Sequence, residues 1–128
     1  MQNRNSAHVV VGQRGGTHNT IEGKQTFNAG SQQDDIGNQA VPNGRADIRI
    51  VGNANRTLTV YWQPHNAGTP DNWIAYDAPG SGRTPGQLNG QTPNWGNSVY
   101  IGLITYAYGY AGVPFSGIVD SLEILQPE

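Results

Sequence analysis

The chain has 128 residues, the size of one modal domain, with 12% charged residues, a net charge of −2 and no cysteine. Missing cysteine excludes disulfides, thiolate metal sites and cysteine nucleophiles, and seven scattered Lys plus Arg offer no basic stripe for a phosphate backbone. No apolar run approaches the roughly 20 residues of a membrane helix, so neither nucleic acid nor a membrane span is expected. Low net charge, with three Trp and six Tyr available for a core, favours a folded, loop-rich domain over disorder.

The elements follow in chain order. Ala7 to Val11 reads as a short apolar strand, and Thr20 to Asn28 as another. Asp34 and Asp35 lie in the turn-rich stretch SQQDDIGNQ, and a weak strand is expected from Ile36 to Val41, turned by Asn43-Gly44. The clearest unit is ADIRIVGNANRTLTVYW: Ile48 and Ile50 alternate with Asp47 and Arg49, and Leu58, Val60 and Trp62 alternate with Thr57, Thr59 and Tyr61. The loop Gly52 to Arg56 tolerates positive φ, so this is a hairpin, with Trp62 assigned to the core. From Gln63 to Ser98 only NWIAYD has strand character, and this stretch holds five of the eight prolines. Val99 to Gly109 and Ile118 to Leu125 complete the set, with Leu122 and Ile124 the expected buried pair.

Turn chemistry recurs about every ten residues and no helical periodicity survives, the spacing of an all-β sandwich or barrel. A single domain over residues 1–128 is expected, an antiparallel β-sandwich or jelly roll of two sheets.

The order RADIRIVGNANRTLTVYWQ, a Trp-bearing loop, NSVYIGLITYAYG and FSGIVDSLEIL resembles the second half of concanavalin A-like lectin/glucanase (laminin G-like) sandwiches. It covers about residues 45–125 as a pattern, with Asp120 at the family's usual acidic position. The resemblance implies a two-sheet sandwich with a carbohydrate-binding role. The carboxylate cluster ExDxxE of the glucanase members has no counterpart here.

Catalytic chemistry has little to stand on. A glycosidase needs two facing carboxylates, whereas Asp120 and Glu123 point to opposite faces of a regular strand. His8, His18 and His65 fall in no metal-ligand spacing, and no GxSxG elbow is present. The chain therefore reads as a non-enzyme without a cofactor. Asp34 and Asp35, with Asn38 and carbonyls, are the one candidate for a structural calcium, weighed against a solvated loop.

Sugar binding needs flat rings against pyranose C–H faces and short polar groups for the hydroxyls. Trp73 and Trp95 sit in Pro- and Asn-flanked segments, next to Asp71, Asn72, Asn94 and Asn97. They are the candidate stacking residues, the alternative being plugs at the ends of a sandwich. Tyr106, Tyr108 and Tyr110, joined by Tyr61, form a face that suits a glycan platform, a subunit contact or cross-strand packing.

The expected function is a non-catalytic, lectin-like module that binds a polysaccharide or other glycan. The alternative is a structural module of a fibre, coat or adhesin that associates with other copies of itself through open sheet edges and the tyrosine face. The N-terminus lacks a signal-peptide h-region, as expected either of a protein that stays inside or of a mature or excised piece, and between the two the Asn- and Gly-rich, Lys-poor, cysteine-free composition favours an extracellular or secreted module.

Overall fold

The computed structural model describes residues 4–14, 18–38, 40–65, 71–96, 98–105 and 117–126. The chain divides into two units, Met1–Asn97 and Ser98–Glu128. The first unit is all-β, with two antiparallel three-stranded sheets. Its only helical element among the described residues is one 3-10 turn, Pro42–Gly44.

The first sheet runs β1 (Ser6–Arg14), β2 (His18–Phe27), β3 (Gly30–Asp35) in that order. Its register sets Val9 against Gly23 and Val11 against Ile21, so Ala7, Val9 and Val11 share a face with Ile21, Gly23 and Gln25. That face packs on the core. Strand β3 was not foreseen, because Gly30-Ser-Gln-Gln-Asp-Asp35 contains no apolar residue and shows no period. Its pairing is imposed by the turn before it, where Asn28 and Ala29 both take positive φ, 46° and 71°, the pattern of a two-residue hairpin that matches strand twist.

No strand forms over Ile36–Val41 among the described residues, which leave out position 39. Ile36 and Val41 instead donate their N–H groups to the carbonyls of Ile21 and Asn19 and bury their side chains in the core. Gly37 between them, at φ 109°, breaks the extended run. The turn at Asn43-Gly44 is as expected, with φ of 56° and 63°.

The second sheet runs β4 (Ala46–Gly52), β5 (Leu58–Pro64), β6 (Ile74–Ala75). The β4–β5 hairpin forms with the expected alternation, Ile48 opposite Trp62 and Ile50 opposite Val60. Its loop closes through Asn53 N–H to Thr57 O and Arg56 N–H to Asn53 O, both 2.9 Å. Val60 and Trp62 are buried, and one cluster joins them to Ile21, Ile36, Val41, Tyr76 and Leu88. A single core therefore draws on both sheets.

The irregular stretch after β6 is tied to that core. Tyr76 N–H donates to Val60 O, Val60 N–H to Gly86 O, and Gly86 N–H to Tyr76 O at 2.7 Å. Gly86 suits this place on two counts: its φ is 97°, and an added Cβ would lie 2.7 Å from the Thr59 methyl. Gly23 is needed for close approach alone, since Leu88 and Tyr76 occupy the space a Cβ would take.

In the second unit no strand forms among the described residues, 98–105 and 117–126. Leu122 and Ile124 are exposed there rather than buried. Alternation defines which face of a segment is apolar but supplies no ladder partner, and two strands alone are marginal in water.

Candidate functional site

In β4 and β5 the residues that alternate with Val60 and Trp62 form the other face of the second sheet, on which Gln63 is itself buried. Asp47 stands opposite Gln63, Arg49 opposite Tyr61, and Tyr61 opposite Ala75 of β6. Carrying the β5–β6 register one rung past Trp62–Ile74 brings Trp73 beside Gln63, on the same face. The Arg49 guanidinium lies over the Trp73 ring, 6.0 Å from its centroid, within cation–π range.

A chain of hydrogen bonds fixes the polar groups around that ring. The backbone N–H of Asn72 donates to Gln63 Oε1 at 2.8 Å, and Gln63 Nε2 donates to Asp47 Oδ2 at 3.1 Å. His65 Nδ1–H donates to the other oxygen, Asp47 Oδ1, at 2.7 Å. The His65 bond, with the Gln63 bond adding to it, holds the Asp47 carboxyl below its ordinary range against the opposing effect of burial. The Trp73 indole Nε1 is buried with no partner among the described residues, a donor that most native structures satisfy. Asp71 and Asn72 are exposed at the edge of this surface.

Of the residues singled out from the sequence, Trp73, Asn72, Asp71 and Tyr61 therefore belong to one neighbourhood. Trp95 and Asn94 do not join it. Arg56 Nη1 donates to the Trp95 carbonyl, and Asn5 Oδ1 accepts from the Asn94 N–H at 3.1 Å. Trp95 thus sits by the hairpin loop that leads into β5, whereas Trp73 sits by the far end of that strand, about 20 Å away at the usual rise per residue. Tyr106, Tyr108, Tyr110 and Asn97 lie outside the described residues. Arg49, Gln63, Asp47 and His65 carry no site role in the sequence; Asp47 and Arg49 stand out there as outward positions of the hairpin, whereas Gln63 falls in the irregular stretch, and the pairing of all of them with Trp73 depends on where β6 docks.

Asp34 and Asp35 are engaged inside the protein. Tyr76 Oη donates to Asp34 Oδ1 at 2.7 Å, and Arg83 forms an ion pair with Asp34 Oδ2. Asp35 Oδ1 accepts from the Gly37 N–H at 2.8 Å and lies 3.4 Å from His18 Nε2. Among the described residues no group of three or more His, Asp or Glu converges as a metal site would require.

No protein-family model, curated protein or solved structure matches this chain. No helix among the described residues is long and apolar enough to cross a membrane.

Proposed function

We propose that the chain is a non-catalytic carbohydrate-binding module whose binding surface is the Trp73 face of β4, β5 and β6. The observation that carries this reading is the grouping of the Trp73 and Tyr61 rings with Arg49, Gln63, Asn72 and Asp71 on one sheet face. An aromatic body flanked by oriented amides, a guanidinium and a carboxylate is the combination a pyranose uses, C–H faces to the ring and hydroxyls to the polar groups. Arg49 on the Trp73 ring fixes the indole and holds donors beside it. The common core of the two sheets supports a sandwich arrangement. A secreted setting fits a ligand of this class.

The test is tryptophan fluorescence and affinity electrophoresis against a panel of soluble polysaccharides, with and without EDTA. Trp73→Ala is expected to weaken binding about tenfold or more, about 1.4 kcal/mol, while the folded far-UV spectrum persists. Loss of binding with EDTA would show that binding needs a cation. Binding unaffected by Trp73→Ala, or no binding to any polysaccharide, overturns the assignment.

Association with other copies is the second reading, favoured by β3. This strand ends the order β1-β2-β3 with Gly30 to Gln32 exposed, a short edge able to accept another strand, beyond which Asn89 and Tyr76 donate to the Gln33 and Asp34 carbonyls. Light scattering decides it: a mass that grows with concentration supports assembly, and a monomer at tens of micromolar rejects it.

A further inference from the structure

The second sheet has one long open edge. Strand β4 ends the order β4-β5-β6, whereas the strand at the other end, β6, is two residues long. The ladder shows which backbone groups that edge leaves over. His65 N–H donates to Arg45 O at 3.3 Å and Asn53 N–H to Thr57 O at 2.9 Å, so the bonds that bracket β4 fall on odd-numbered positions. Hydrogen-bonded pairs alternate along an antiparallel ladder. The N–H and C=O groups of Asp47, Arg49 and Val51 therefore face β5. Those of Ala46, Ile48 and Ile50 face the open edge, where no other described residue bonds to them. Nothing blunts this edge, since β4 has no proline, lysine or bulge. Ile50 shares a face with the buried Val60, yet it is 49% exposed.

A second copy fits this edge in one register. Two antiparallel strands related by a two-fold axis normal to their sheet set one residue opposite itself, because residues that face each other point to the same side. Centred on Asp47 or on Arg49, β4 sets like charges together, which destabilises the pair. Centred on Ile50, it brings no opposite charges together. Centred on Ala46, it would need a ladder through residues 42–44, which form the 3-10 turn. Centred on Ile48, it sets Asp47 opposite Arg49 of the second copy twice over, Ile48 opposite Ile48, and Ile50 opposite Ala46. The backbone groups that face the open edge then form the hydrogen-bonded pairs. Asp47 and Arg49 fall on the other kind of pair, about 4.5 Å between Cα atoms, where side chains are closest. Strand β1, the long edge of the first sheet, has His8 and Arg14 as its only ionisable residues, so no register brings opposite charges together there.

We infer that two copies of this chain associate through β4 about a two-fold axis at Ile48, joining their second sheets into one antiparallel sheet of six strands. The contact closes at two copies, uses a different edge from β3 and does not depend on the carbohydrate reading. Arg49 lies over the Trp73 ring in the single chain; in the dimer it turns to the Asp47 carboxylate of the second copy.

The experiment is sedimentation equilibrium of the full chain between about 10 and 500 μM. The mass is expected to rise from 13.7 kDa toward twice that value and no further. Arg49→Asp and Asp47→Arg each set like charges together, and each alone should be monomeric. Mixed in equal amounts, they restore opposite charges on both pairs and should recover the dimer. Cysteine variants locate the axis, since the chain has no cysteine of its own. Ile48→Cys should form a disulfide-linked dimer on mild oxidation, its two Cα atoms lying about 5.5 Å apart. Ile50→Cys should not, although Ile50 is the more exposed, because its two copies are offset by about 13 Å along the strands. Should Asp47→Arg fail to fold, the two cysteine variants decide alone. A monomer at every concentration, a dimer undiminished in Arg49→Asp, or cross-linking of Ile50→Cys in place of Ile48→Cys overturns the inference. A mass that grows past two copies also overturns it and moves the weight to the β3 edge.

Discussion

Tyr76 is wholly buried, and its phenol hydroxyl has three partners. It donates toward Asp34 Oδ1 and the Asp34 carbonyl, and it accepts from the Gly23 N–H at 3.2 Å. Removing it leaves a buried N–H and a buried carbonyl with one bond fewer each, so Tyr76→Phe should cost about 1–3 kcal/mol in denaturant unfolding. Burial, and then the hydrogen bond and charge of Asp34, push the phenol pKa far above its ordinary value near 10. The folded chain keeps this proton at a pH where the unfolded chain loses it. Stability contributed by Tyr76 is therefore complete below about pH 10 and falls as pH rises further, by up to about 1.4 kcal/mol per unit. The Phe variant should lack that part of the alkaline slope.

His8 gives the opposite dependence. Burial first, and Lys24 opposite it second, lower its pKa, so the folded chain holds the neutral ring more strongly than the unfolded chain does. Its contribution is present above about pH 6.5 and is lost as pH falls below that value. In His8→Gln the decline in urea midpoint between about pH 7.5 and 5.5 should be smaller than in the parent chain. At Gly86, alanine meets both the positive φ and the Thr59 methyl, and Gly86→Ala should destabilise by about 1–3 kcal/mol or more.

Among the elements, the hairpin of β4 and β5 was fully legible, because period two and a Gly/Asn loop speak for the same pairing. The polar strand β3 was not, since its place comes from the Asn28-Ala29 turn and from hydrogen bonds to β2 rather than from a buried face. Ala29 holds a conformation that costs a residue with a Cβ roughly 1 kcal/mol and that suits glycine. Ala29→Gly should thus be neutral to stabilising by about 0.5–1 kcal/mol in thermal unfolding, in contrast to the same change in a strand interior. The candidate surface was half visible for a related reason. Trp73, Asn72 and Tyr61 stood out as residue types, while Arg49, Gln63 and His65 gain meaning only from cross-strand register, and that requires β6 to be placed.

At the scale of the molecule, the all-β, antiparallel character was evident from turn spacing and the absence of helical periodicity. Which segments pair was less so. The Val99 and Ile118 stretches carry the strongest apolar alternation in the chain after the hairpin, yet they form no ladder among the described residues. In the first unit, weaker patterns such as His18–Phe27 do pair, because a neighbour on each side supplies the backbone groups that a pattern alone cannot.

The stretch after β6 has no regular structure, but it is fastened to the first sheet from within. Gln25 Nε2 lies 3.4 Å from each of the carbonyls of Leu88, Asn89 and Gly90, while Tyr76 reaches across to Gly23 and Asp34. Detaching this stretch would strand a buried amide and a buried phenol at once, so its opening is coupled to loss of the core rather than to local fraying. In native-state hydrogen exchange, the amides of Tyr76 and Gly86 should then be as slow as that of Val60 at the centre of β5, with the same denaturant dependence. An irregular segment would share the protection of a sheet interior.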